Sequence, residues 1–197
     1  MNFRPQELIV LGIFSVIIIV IDMAVNMLTV FSPFLIPVTK SLSGIVVGIP
    51  FMLYLARVEQ KGLICLMALV LAAVMVLAGD YVLTLVSALL AGGLADVICR
   101  AAKKHQRRAL MALGYGIFNL WHIGGLLPLL FMRPQIEAQI TQQLGPEYAE
   151  SFSAFYSGPV LCWTFAVIFV SGLLGAVIGL GMLNKHFVRA GLVQKNG

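Results

Sequence analysis

The chain has 197 residues, of which 60% are hydrophobic and only 11% charged, and its mean hydropathy is +1.00. A soluble domain carries roughly 25% charged residues, so that class is excluded. At about 20 apolar residues per bilayer crossing, six crossings leave no room for a separate soluble domain. The net charge of +5 would suggest nucleic acid in a soluble protein. Here the basic residues flank apolar segments, where topology and anionic lipid account for them and no nucleic-acid partner is expected.

Apolar runs and turn signals predict an all-α membrane protein of one integral domain with six transmembrane helices. The first covers about residues 8–31 and follows Arg4. It is too long for a signal peptide and lacks a small-x-small cleavage site, so it is expected to be retained. The stretch Ser32–Lys40, with its two prolines, reads as an outer loop or re-entrant segment. The second helix covers about 41–58 and holds Pro50, which is expected to kink it. The third, about 63–78, ends at the turn signal Gly79-Asp80. The fourth, about 82–101, runs into Arg100, Lys103, Lys104, Arg107 and Arg108. The fifth covers about 109–132 and the sixth about 159–183, the latter leading to Lys185, Arg189 and Lys195.

Eleven of the thirteen Lys and Arg residues fall on one side of this arrangement, leaving only Lys40 and Arg133 on the other. Cytoplasmic loops retain Lys and Arg, so both termini are expected inside the cell membrane. The long connection 133–157 then lies outside. Its apolar residues Ile136, Ile140 and Leu144 recur at helical spacing, Gly145-Pro146 interrupts, and Tyr148, Phe152, Phe155 and Tyr156 form a second stripe. Two short amphipathic helices satisfy both stripes. They read either as a lid or as an interfacial connector.

Polar groups within an apolar segment are costly and draw attention to themselves. Asp22 and Asn26 lie one turn apart in the outer half of the first segment, suited to a ligand or to another helix. Tyr115, Asn119 and His122 stand at i, i+4 and i+7 on the fifth segment, a phenol, an amide and an imidazole suited to a polar, flat organic ligand. Each also has a plain packing reading. Trp163 reads as an interfacial anchor or a stacking partner. Asp96 precedes Arg100 by four residues, the spacing of a helical ion pair, and reads as structural or as a docking contact. Gly172, Gly175 and Gly179, and the run Ala88, Ala91, Gly92, Gly93 and Ala95, mark smooth helix faces, explained by internal packing or by a partner helix. Cys65, Cys99 and Cys162 lack metal-ligand spacing and read as small apolar packing residues. No metal or cofactor is expected on this chain. There is no Walker A sequence, HExxH, CxxC or catalytic constellation, so an enzyme is not expected.

The proline-rich PFLIP at 33–37, then GIPFMLYLARVEQKG at 48–62, AGGLADVICR at 91–100 and KHFVRAGLV at 185–193 follow one another along the chain. In that order they resemble the Trep-Strep (MptD) family, which is grouped with the substrate-binding S components of energy-coupling factor transporters. The resemblance covers nearly the whole chain. It implies a six-helix protein that captures a vitamin-like or other micronutrient from outside and docks on a transmembrane coupling protein carrying two cytoplasmic ATPases, which use the ATP. It does not identify the ligand. S components commonly present alanine-rich small-xxx-small spacing on the first helix to the coupling protein, whereas this chain offers only Gly12 and Ser15 there. With the resemblance, the ligand is expected beneath the outer connection, contacted by Asp22, Asn26, Tyr115, Asn119 and His122 and closed over by Tyr156 and Trp163. Gly12, Ser15, Asp96 and Arg100 are the docking candidates. The alternatives are an autonomous secondary carrier or exporter, and a membrane scaffold without a transport role.

Overall fold

The computed structural model describes residues 4–183, and their regular structure is entirely helical. Helix α1 spans Pro5–Asn26 and continues as a 3₁₀ segment over Met27–Phe31. Helices α2 (Leu35–Arg57), α3 (Leu63–Leu77), α4 (Leu83–Lys104) and α5 (Arg108–Asn119) follow. Two 3₁₀ segments, Leu120–Gly125 and Leu127–Leu130, lead to α6 (Arg133–Leu144), α7 (Pro146–Phe155) and α8 (Gly158–Met182).

Six of these helices close a ring. α1 packs on α2, α2 on α8, α8 on α5, α5 on α4, α4 on α3, and α3 returns to α1. The residues facing inward on α1 are Glu7, Leu11, Ser15, Ile18 and Asp22, three or four positions apart, while Ile9, Ile13, Val16 and Val20 are exposed. Polar inside and apolar outside is the pattern of a helix whose surroundings are lipid. Among the described residues, four helices are long and apolar enough to cross a membrane: α1 with its 3₁₀ extension, α2, α4 and α8. α3 is apolar but has 15 residues, roughly 22 Å at 1.5 Å per residue.

Glycine sets how closely the ring packs. Gly44 and Gly48 of α2 face Gly175 and Gly179 of α8, and a Cβ on Gly175 would lie 2.4 Å from the Gly44 carbonyl oxygen. Gly172 meets Gly116 of α5, and Gly92 meets Ala68 of α3. These small-residue faces therefore serve packing within the chain. A Cβ on Gly93, by contrast, would meet no other part of the described residues within 4 Å.

Two helices differ from the boundaries expected above. The stretch Ser32–Lys40, expected as an outer loop or re-entrant segment, is largely helical, since α2 already begins at Leu35. Pro37 is compatible with this because the first-turn N–H groups of a helix have no internal partner to lose. The fifth segment is not one helix over 109–132, because α-helix ends at Asn119 and gives way to 3₁₀ turns. Gly124 there passes so close to α4 that a Cβ would lie 2.3 Å from Thr84 Cα, and Pro128 supplies no N–H.

Basic residues collect at one end of the ring. Arg4, Arg57, Lys61, Arg100, Lys103, Lys104, Arg107 and Arg108 all lie at the ends or connections there. Backbone contacts tie this end together: Glu7 Oε1 accepts from Glu59 N at 2.9 Å, and Lys103 Nζ donates to the Val58 carbonyl. The opposite end carries the 3₁₀ segments with α6 and α7. Lys185, Arg189, Lys195 and the KHFVRAGLV stretch lie outside the described residues.

Candidate functional site

A buried polar cluster sits toward the end opposite the basic residues. Asp22 is 1% exposed, and its Oδ1 accepts a hydrogen bond from Ser43 of α2 and faces His122 Nε2 at 3.5 Å. On the other side of the imidazole, Lys40 Nζ lies 3.5 Å from Nδ1. An ammonium only donates, so this contact assigns Nδ1 as acceptor and leaves Nε2–H turned to the carboxylate. Asn26, one turn beyond Asp22, donates its amide N–H to the Asp22 carbonyl at 2.7 Å. The turn residue Asp80 approaches from α3–α4 and lies in the field of both Lys40 and Asp22. Burial lifts its carboxyl above the ordinary value, Lys40 opposes that shift and Asp22 adds to it. Within this cluster, Asp22 Oδ2 and Asn26 Oδ1 have no partner among the described residues.

Local sequence explains how the cluster is assembled. The 3₁₀ turn after Asn119 brings His122 toward α1 and α2, with Trp121 stacked on its ring at 4.1 Å. Ser87 of α4 holds that turn through the Trp121 carbonyl at 2.8 Å. Lys40 is available because α2 starts early enough to place it above Ser43, one turn away.

The remaining candidates divide. Tyr115 and Asn119 both turn toward α2 near Gly44, where the Tyr115 hydroxyl donates to the Gly44 carbonyl at 2.7 Å and Asn119 Nδ2 donates to the Ile168 carbonyl of α8 at 2.8 Å. Tyr115 also packs against Phe51. Of the three spaced residues on the fifth segment, His122 makes the direct contacts with Asp22 and Lys40. Trp163 is 58% exposed on the outside of α8 and does not meet it. Lys40, Ser43 and Asp80 join the site without having been singled out by the sequence.

Above the cluster lie α6 and α7, with Gly145 between them at φ 89°, a left-handed value that suits glycine. A satellite apolar core of Leu126, Leu129, Ile136, Phe152, Tyr156 and Leu161 holds them down. Tyr156 is fully buried and its hydroxyl reaches the Pro33 carbonyl at 3.3 Å, while the Tyr148 hydroxyl donates to the Thr29 carbonyl at 2.8 Å. Burial raises both phenols above their ordinary value. Tyr156 thus joins the cover to the start of α2.

The sequence model of a family described as hypothetical bacterial integral membrane proteins (Trep_Strep) matches residues 6–189. The chain belongs to the Trep_Strep family. No curated protein and no solved structure matches it. The apolar outer face of α1 and the four long apolar helices agree with an integral membrane protein.

The docking candidates of the Trep_Strep chain also separate in the structure. Gly12 is exposed with nothing within 4 Å of its Cβ position, whereas Ser15 points inward and is 2% exposed. The two therefore do not form one smooth outer face. Asp96 is buried and receives the backbone N–H groups of Gly62, at 3.1 Å, and Ile64, at 3.4 Å, while pairing with Arg100 at 2.7 Å. It thereby satisfies free N–H groups at the start of α3.

Proposed function

We propose that this protein is the substrate-capturing S component of an energy-coupling factor importer. It takes a micronutrient or vitamin-like molecule from outside and passes it on through a coupling protein with two ATPases. In this reading the chain crosses the cell membrane six times. α3, and α5 with its 3₁₀ continuation, are the short crossings, both termini are cytoplasmic, and α6–α7 is the outer lid. The chain performs no chemistry itself and carries no cofactor.

Support comes from one juxtaposition. Asp22, Asn26, Lys40 and His122 meet beneath the α6–α7 cover, at the end of the ring away from the basic residues. Basic residues favour the cytoplasmic side, so the cluster belongs to the outer half, where a captured molecule arrives. The family resemblance carried by PFLIP, GIPFMLYLARVEQKG and AGGLADVICR supplies the importer context. The ligand contacts are then Asp22, Asn26 and His122, with Lys40 on the far side of the imidazole and Tyr156 and Tyr148 anchoring the cover.

Tagged protein purified from its own organism is expected to bring down the coupling protein and both ATPases in fixed ratio. Absence of any complex, from folded protein tested against every such module of that organism, overturns the reading. A self-contained secondary carrier is the second reading. It is favoured by the Lys40–His122–Asp22 chain, because titratable groups inside a membrane mark ion and proton paths. Uptake by the chain alone in liposomes would establish it instead.

A further inference from the structure

The polar cluster has a chemical sign. Asp22 and Asn26 sit one turn apart on α1, and each keeps one buried oxygen, Oδ2 and Oδ1, without a hydrogen-bond partner among the described residues. Buried acceptors are nearly always satisfied; α1 also carries unpartnered Glu7 Oε2 and Ser15 Oγ, but the Asp22 and Asn26 oxygens lie one turn apart beside His122 and Lys40 and together call for a donor. The Asn26 amide orientation follows from its own bond to the Asp22 carbonyl, which fixes the oxygen as the free atom. Charge points the same way. One ammonium, Lys40, faces two carboxylates, Asp22 and Asp80, and the imidazole between Lys40 and Asp22 accepts at Nδ1 and is therefore neutral. Uncompensated negative charge is costly in an apolar bundle. A group that brings both N–H donors and a positive charge answers both deficits. A metal ion fits less well, because among the described residues no three His, Cys, Asp or Glu are placed to hold one.

We propose that the ligand carries an ammonium or amidinium group, docked on Asp22 Oδ2 and Asn26 Oδ1. This rests on the cluster being the capture site, and it narrows the ligand to organic cations. His122 and Ser43 then fix the other carboxylate oxygen, Oδ1, and so orient the carboxylate. Trp121, stacked on His122, keeps the imidazole plane in place.

The test uses the full-length chain in detergent and four simple probes. Benzamidine and benzylamine are cationic, benzamide is a neutral N–H donor of similar shape, and benzoate is an anion. The two cations are expected to raise the melting temperature saturably, and benzamide and benzoate to leave it unchanged. Asp22→Asn is expected to weaken the response about tenfold or more, the loss of a bond to a charged group. Should that variant not purify as a monodisperse species, Asn26→Leu carries the same test. An equal response to benzamide, no response to either cation, or a full response in the variants overturns the proposal. Protein that ignores the cations yet binds its coupling protein loses the cation assignment alone. Protein that binds them but brings down no ATPases keeps the site and loses the importer reading.

Discussion

A Cβ placed on Gly48 of α2 would lie 2.3 Å from both the carbonyl carbon and the carbonyl oxygen of Gly175 on α8. Backbone cannot retreat as a flexible side chain can, so Gly48→Ala must push the two helices apart. Overpacking of this kind costs about 1–3 kcal/mol, and here it strikes the seam that carries Asn119 and Tyr115. The expected result is a lower melting temperature in detergent. Gly12→Ala is the comparison, because nothing stands within 4 Å of it, and alanine at a helix interior is favoured by about 0.5–1 kcal/mol. Equal stability of the two variants would show that the α2–α8 contact is looser than these distances imply.

Asn119 and His122 are expected to fail in different ways. Asn119→Leu removes a side-chain bond to the Ile168 carbonyl, worth about 0.6–1.5 kcal/mol between buried helices. It should lower stability while leaving the binding of benzamidine intact. His122→Leu removes the link between Lys40 and Asp22, whose contacts are both 3.5 Å long, so its stability cost should be small and its effect on binding large. Melting curves with and without the cation separate the two. A binding defect in Asn119→Leu equal to that in His122→Leu would return Asn119 to the site.

What can be read from the sequence follows from the cost of burying polarity. Asp22 and His122 are conspicuous because each interrupts a long apolar run, where a titratable side chain must find a partner or be put to use. Lys40 and Asp80 are hidden for the opposite reason: at the ends of apolar segments, charge normally marks a boundary, so neither stands out as part of a site. Only tertiary packing brings Lys40 over His122 and Asp80 beneath Gly125. Tyr115, Asn119 and His122 share a spacing, but spacing does not say whether a polar atom faces a cavity or a neighbouring carbonyl. The ending of α5 at Asn119 is equally obscure, since Leu120, Trp121 and Ile123 continue the apolar pattern while Gly124 and its contact with Thr84 impose the turn. The Gly44–Gly48 pair is inconspicuous because a GxxxG spacing gains meaning only when its partner, Gly175–Gly179, is known.

Asp96 is expected to behave as a structural cap. Its two oxygens hold the N–H groups at the start of α3 and the Arg100 guanidinium. Asp96→Ala removes all of these at once, and loss of a helix N-terminal cap alone costs about 0.5–2 kcal/mol. The variant should unfold earlier on heating, with hydrogen exchange rising first over residues 62–68. If it keeps full stability but no longer binds the coupling protein, Asp96 is a docking residue after all.

Stability should depend on pH through Asp80. Burial holds its folded-state carboxyl above the ordinary value of about 3.9, with Lys40 offsetting part of the shift. A carboxyl raised in this way favours the protonated form in the fold. Its ionisation therefore weakens the fold as pH climbs from about 3.9 through the folded value, beyond which the penalty is constant. Asp80→Asn removes that penalty, so the variant should melt above the parent at pH 7 and lose its advantage as pH falls toward about 4. A variant less stable than the parent at pH 7 would mean that attraction to Lys40 outweighs burial.

Tyr148 offers the clearest test of how the cover is held. Its hydroxyl donates to the Thr29 carbonyl at 2.8 Å, joining α7 to the 3₁₀ extension of α1. Burial keeps the phenol protonated beyond its usual titration near about 10, so the tether persists at physiological pH. Tyr148→Phe removes the hydrogen bond and keeps the ring within the satellite core. At about 0.5–1.5 kcal/mol for such a bond, local opening of the cover should become roughly 2–10-fold more frequent. Hydrogen exchange over 146–155 reports this directly, with the buried face of α1 as an internal reference. Faster exchange in α7 alone, with the global melting temperature nearly unchanged, is the signature of a cover that opens independently of the ring. Faster exchange throughout would mean that the cover and the ring unfold as one unit, and α6–α7 would then be a fixed connector rather than a lid.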